Sequence, residues 1–305
     1  MIRFTLRRLV LAGLVAVLVS AASFALIFVA GDPAIVLAGQ SGRARDAEYL
    51  RVLYGLDRPW IVQYADWVAR AAMGDFGRSL YFNLPVRAIL FERIPVTFTL
   101  GCTALSFGLV LAVPLGIAAA VRPDSAIDRL ALFLAVIGQA IPGFWLGLIL
   151  MIVFGMWLGW TPISGTESWV GFVLPTIVLG YTVMPALMRI LRTGMIEVLA
   201  SDYIRAAHAK GLLSPRILFV HALPNAALPV VSLAAVQFGV LLSGSIVIES
   251  VFALNGVGRL AWESILRSDL PVVQAIILVF SLTYVLLTLA ADLINAWLDP
   301  RIRES

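Results

Sequence analysis

"PVTFTLGCTALSFGLVLAVPLGIAAAV", residues 95 to 121, runs for 27 positions without a charged side chain. A helix rises about 1.5 Å per residue, so this run reaches across the roughly 30 Å hydrocarbon core of a bilayer. Backbone amides in hydrocarbon have only each other as partners, so a run of this kind must be helical. Five further stretches read the same way, at residues 9–30, 131–158, 172–190, 228–248 and 271–298. The expected fold is therefore an all-α membrane protein with six transmembrane helices. Pro95 and Pro271 are expected at helix starts, where a missing N–H costs nothing. Pro114, Pro142 and Pro185 fall inside spans and are expected to kink them.

Composition agrees with that reading. Of 305 residues, 61% are hydrophobic and 13% charged, and the mean hydropathy is +0.98. A soluble domain is nearer half apolar and a quarter charged, so lipid must be the solvent for part of this chain. The net charge of +4 reads as topogenic arginine, not as a nucleic-acid surface. Cys102 stands alone, cannot form an internal disulfide, and reads as a small apolar-facing residue. The first 30 residues have the basic start of a signal peptide, but their apolar run is long enough to be a retained span.

Basic residues set the orientation. Arg3, Arg7, Arg8, Arg122, Arg129, Arg189, Arg192, Arg205, Lys210, Arg216, Arg301 and Arg303 lie on one side, twelve in all, whereas the short opposite loops hold only Arg259 and Arg267. Both termini and the segment between spans 4 and 5 are thus expected in the cytoplasm. The long loop at 31–94 is expected outside, with positions such as Ser79 open to that side. In it, Trp60, Tyr64 and Trp67 recur at i, i+4 and i+7 on one helical face. That face suits an interfacial aromatic belt, a docking surface for an extracytoplasmic protein, or both. The stretch from Glu249 to Leu266 is too polar to span and is expected to lie over the outer mouth, with Gly256 and Gly258 allowing tight packing.

The segment "SDYIRAAHAKGLLSPRILFVHALPNAALP", residues 201–229, reads as a helix–turn–helix elbow. Asp202 or Ser201 caps the first helix and Gly211 ends it in the left-handed conformation. Ser214-Pro215 opens the second. Ala206, Ala207 and Ala209 offer a small-residue face, rimmed by Arg205, His208 and Lys210.

The spacing Ala206-Ala207, three residues, Gly211, nine residues, His221, one residue, Leu223-Pro224 resembles the EAA loop of ABC importer permeases. Arg205 stands where that pattern has glutamate and His221 where it has isoleucine, and the first departure resembles the dipeptide/oligopeptide/nickel branch. "GLDRPWIVQYADW" (55–67), "GDFGRSL" (74–80), "ESVFALNGVGRL" (249–260), "DLPVVQ" (269–274) and "DLINAWLDPRIR" (292–303) are similar to the subunit of that branch with a long loop after its first span.

The resemblance implies a type I ABC importer permease in the bacterial inner membrane. Its segments would be residues 1–30 (cytoplasmic start and first span), 31–94 (outer loop), 95–298 (core, with elbow 201–224) and 299–305 (cytoplasmic tail). Arg205, Ala206, Ala207, Lys210, Gly211, Leu223 and Pro224 would form the coupling helix that docks into an ATPase. The implied partners are a second, homologous permease, two ATPase subunits holding ATP and Mg, and a solute-binding protein. Glu249, Gly256 and Gly258 would shape the outer gate. The cargo would be di- or oligopeptides, with nickel, glutathione, opines or sugars as alternatives.

No phosphate-binding G-x-x-x-x-G-K-[ST] occurs in the chain, and the one lysine, Lys210, sits in "AAHAKGLL". No catalytic, metal or cofactor constellation is expected. The spans read as nearly free of ionisable residues, which disfavours an autonomous secondary transporter. A scaffold without transport is the remaining alternative. Gln139 is the most central polar side chain, suited to a helix contact or to the pathway.

Overall fold

The computed structural model describes residues 2–29, 56–165 and 168–298, with positions 34, 48, 49, 51 and 52. The tail and most of residues 31–55 lie outside the described residues. The long helices are α1 (Ile2–Val29), α3 (Val86–Val121), α6 (Val173–Leu199), α8 (Leu228–Val251) and α10 (Leu270–Leu298). Between them lie α2 (Trp60–Ala72), α4 (Ala126–Ala140), α5 (Gly143–Leu150), α7 (Asp202–Ala209) and α9 (Val257–Leu266). Five helices are long and apolar enough to cross a membrane, and α4 with the helical run through Trp157, bent by 95° between them, brings the number to six when the pair is taken as one span.

Three expectations about the spans change. Proline 95 lies inside α3, not at its start. The preceding turns, "VRAILFERI", bury Val86, Ile89 and Leu90 against Val257, Leu260, Val272 and Ile276, so tertiary packing extends the helix beyond its apolar run. The third span is not one kinked helix, because Ile141-Pro142 separates α4 from α5 and Pro142 cannot continue the amide ladder. Finally, α6 continues to Leu199, which moves Arg189 and Arg192 from a supposed loop into a helix.

The centre is the pair α3 and α6, running parallel with α4 as their crossover. Between apolar helices in lipid there is little hydrophobic drive, so close van der Waals approach has to hold them together. Glycine and alanine supply it. A Cβ on Gly180 would sit 2.6 Å from the Ala104 carbonyl oxygen, and one on Gly108 would sit 2.8 Å from Val183. Leu187, Met188, Leu191 and Met195 then fill the core below. Helix α8 runs antiparallel to both, with Phe238 over Gly101, and Ala226, just ahead of α8, lies against Gly194. Helix α10 packs on α8, and α1 packs on α10, with Ser23 donating to the Gln274 carbonyl and Arg8 pairing with Asp292 at 2.8 Å.

Candidate functional site

The elbow is built as its local sequence dictates, with one change of face. Ser201 occupies the N-cap position, although its hydroxyl donates back to Val198 O at 2.5 Å and makes no side-chain cap bond. Gly211 ends the helix with φ +76°, and its N–H donates to His208 O at 2.9 Å. A Cβ there would touch nothing within 4 Å, so glycine is needed for its dihedral and not for space.

The expectation that Ala206, Ala207 and Ala209 share one partner-facing surface is corrected. Ala207 is 8% exposed and joins Ile204, Ile217 and Ala222 in the main core. Arg205, Ala206, His208, Ala209 and Lys210 face outward. In an eight-residue helix lying on the bundle, positions 204 and 207 share the inner face, which leaves 205, 206 and 209 for the outer one. The return path is helical through Ser214–Arg216, Ile217–Ala222 and Leu223–Ala226, so half-buried Leu223 and exposed Pro224 lie within a continuous ascent into α8. Asn225 Nδ2 donates to Tyr203 Oη at 3.1 Å and to His221 O at 2.8 Å, tying α7 to that ascent. Arg205 pairs with Asp202 on the open face.

Above the elbow, two side-chain pairs join α4 to α6, beside the bond that the Tyr181 hydroxyl donates to Leu134 O at 3.0 Å. Arg192 donates twice to Asp128, Nε to Oδ1 and Nη2 to Oδ2, both at 2.6 Å, and Asp128 is 2% exposed. Further into the span, Arg189 Nη1 donates to Gln139 Oε1 at 3.0 Å, and both residues are exposed on the chain's surface.

At the end of the bundle away from the elbow, the quoted motifs meet. Glu249 belongs to the last turn of α8, not to a polar segment beyond it, and is fully buried. Its carboxylate accepts from Thr97 Oγ1 at 2.7 Å and from the Arg259 amide at 2.9 Å. Gly256 and Gly258 let the chain pass directly over it, since a Cβ at either would collide with its Oε2. Buried Asp269, just ahead of α10, accepts from Ser79 Oγ and from the Leu80 amide at 3.0 Å. Ser79 is therefore enclosed instead of open to solvent. Nearby, Tyr64 and Trp67 pack on Phe24 of α1, while Trp60 stays 74% exposed.

The expectation of nearly charge-free spans is thus overturned by Asp128, Arg189, Arg192 and Glu249. Sequence reading named Glu249 for the outer gate and Arg189 and Arg192 among the cytoplasmic basic residues, but did not place them inside the long helices, because each lies near a predicted span end. For Glu249 the available signal was the pair of glycines that follow it, and for buried Asp269 its place immediately before a Leu-Pro helix start.

Comparisons with known proteins give one answer. Residues 112–304 match the family described as "Binding-protein-dependent transport system inner membrane component". Residues 1–101 match the N-terminal part of such membrane components. The chain is 39% identical, over 99% of both chains, to the glutathione transport system permease protein GsiC of Salmonella typhimurium. It is 38% identical to the protein of that name in Escherichia coli K12, with the same coverage. Among solved structures, the inward-facing MetNI methionine ABC transporter covers 69% of this chain and 96% of its own, with a TM-score of 0.58 and 20% identity. That last likeness is one of fold.

Proposed function

This chain belongs to the family of binding-protein-dependent transport system inner membrane components and is the permease subunit of an ABC importer, and from that premise we propose that its cargo is glutathione or a peptide of similar size. The similarity to glutathione permeases over the full length supports that choice over longer oligopeptides, nickel, opines or sugars. A second, homologous permease completes the pathway as a heterodimer, and a binding protein delivers the cargo on the outer side. Two ATPase subunits hold ATP and Mg, and the permease itself catalyses nothing. Both termini and the elbow are cytoplasmic, because Arg122, Arg129, Arg205, Lys210 and Arg216 lie in or beside the connections on that side, against Arg259 and Arg267 on the other.

One observation carries the coupling role: α7 is anchored from within by Ile204 and Ala207, while Arg205, Ala206 and Lys210 remain open. A helix clamped on one face and bare on the other passes a push from a docked ATPase into α6 and α8, and the pathway then alternates its access. Ala206→Glu places bulk and a charge against that partner, and Gly211→Val strains the cap by roughly 1–2 kcal/mol. Both variants are expected to lower ATPase co-purification and uptake of labelled glutathione in cells bearing the whole importer. Full uptake by both would reduce the elbow to a connector. If trialanine enters wild-type cells and glutathione does not, the cargo assignment fails and the permease assignment stands.

Orientation has its own test, in a Cys102→Ser background. Met73→Cys, at an exposed site beyond α2, is expected to react with an impermeant thiol reagent in intact cells, and Ser214→Cys to remain unlabelled. The reverse pattern would invert the topology.

A further inference from the structure

Arg189 is a charged group that the coupling scheme does not use. Helical side chains lean toward their own N-terminus. Arg189 on α6 therefore reaches away from the elbow, and Gln139 on the antiparallel α4 reaches toward it. Gly138 abuts Pro185 and Tyr181, so the two side chains meet at the middle of the 27-residue α6. At that depth a guanidinium facing lipid is among the costliest arrangements a span can hold, and such groups turn toward water-filled cavities or protein. Yet Arg189 is exposed on this chain, as are Thr193 and Glu197 one and two turns further along the same face. Its face of α6 is consequently not a lipid face.

Arg192 shows what a permanent structural pairing looks like here: two 2.6 Å bonds to an enclosed carboxylate. Arg189 differs. It holds one neutral amide oxygen, and among the described residues no carboxylate pairs with it. Gln139 fixes the guanidinium without neutralising it, which leaves a planar fork of donors shaped for a carboxylate.

We propose that Arg189, positioned by Gln139, is a mid-membrane subsite of the translocation pathway that takes a free carboxylate of the cargo. The inference rests on reading the chain as a permease for short peptides, each of which carries such a group. One charge-assisted contact suits a transit site, strong enough to draw the solute inward and weak enough to release it.

The test uses the complete importer in proteoliposomes, with labelled glutathione and labelled trialanine as probes. Arg189→Gln is expected to lower uptake of both by about tenfold, the effect of losing one hydrogen-bonded charge. Arg189→Lys is expected to restore only part of it, because the charge returns without the planar fork. In a Cys102→Ser background, Arg189→Cys is expected to react with a charged, water-soluble methanethiosulfonate. Undiminished uptake by Arg189→Gln, or an unreactive cysteine, would overturn the proposal. Failure of Arg189→Gln to co-purify with the second permease would also overturn it, by making Arg189 a subunit contact. If wild-type vesicles import trialanine alone, the glutathione assignment fails, while the Arg189 comparison is still read on trialanine.

Discussion

Gly180→Val is expected to abolish accumulation of the folded protein in the membrane. A Cβ at this position would stand 2.6 Å from Ala104 O, 2.8 Å from Phe107 Cδ1 and 3.2 Å from the Gly108 nitrogen. Two of those three neighbours are backbone, so no rotamer change relieves the clash. Helices α3 and α6 must separate, and with them go the contacts of Leu100, Ala104, Val183 and Leu187 in the main core. Overpacking a well-filled interior costs about 1–3 kcal/mol where side chains can shift, and more where backbone must move. The packing lost has no hydrophobic substitute, because lipid solvates the separated helices as well as they solvate each other. Gly244→Ala is the matched control, in another span with nothing within 4 Å of its added carbon. Membrane-fraction blots and size-exclusion profiles read the outcome. Wild-type amounts of monodisperse Gly180→Val would show that the α3–α6 contact yields more easily than its geometry says.

The second large effect is expected at Asp128. Asp128→Ala strands the Arg192 guanidinium, whose side chain is 20% exposed, and takes the acceptor from the Asp124 amide. Breaking one side of a buried ion pair costs about 3–5 kcal/mol, because the remaining charge has no compensation. Removing both sides costs much less. The double variant Asp128→Leu with Arg192→Leu is therefore expected to be more stable than Asp128→Ala, in thermal unfolding of the detergent-purified protein. If the single and double variants unfold alike, the pair is not what holds α4 to α6. The location adds a functional consequence: the bond joins α4 to the helix that carries the elbow. A loosened α4 would let α6 move without taking its neighbour along.

Much of this was legible in residue order. Six apolar runs follow from residue order. Five of them are single helices long enough to cross while the sixth is the bent α4–α5 pair, since a hydrocarbon slab of fixed thickness leaves helices as the only arrangement of unpaired amides. Gly211 as the end of α7 follows as well, because a left-handed cap is a local property of one residue. So does Pro271 at a helix start, where the missing N–H has no intrahelical partner to lose.

What only the tertiary structure decided involves partners far away in the chain. Spacing alone places Ala206 and Ala207 together, and packing on Ile217 and Ala222 turns one in and leaves the other out. The break at Pro142 was expected as a kink, but its 95° angle is set by what α4 and α5 pack against on α6 and α8. Glu249, Asp269 and Asp128 look like polar residues beside span ends until Thr97, Ser79 and Arg192 reach them from 152, 190 and 64 positions away. A carboxylate's hydration can be replaced only by donors that arrive together in space. Such donors leave no periodic trace in the sequence around the acid they serve, so hydropathy located the spans while folding chose which charges to bury.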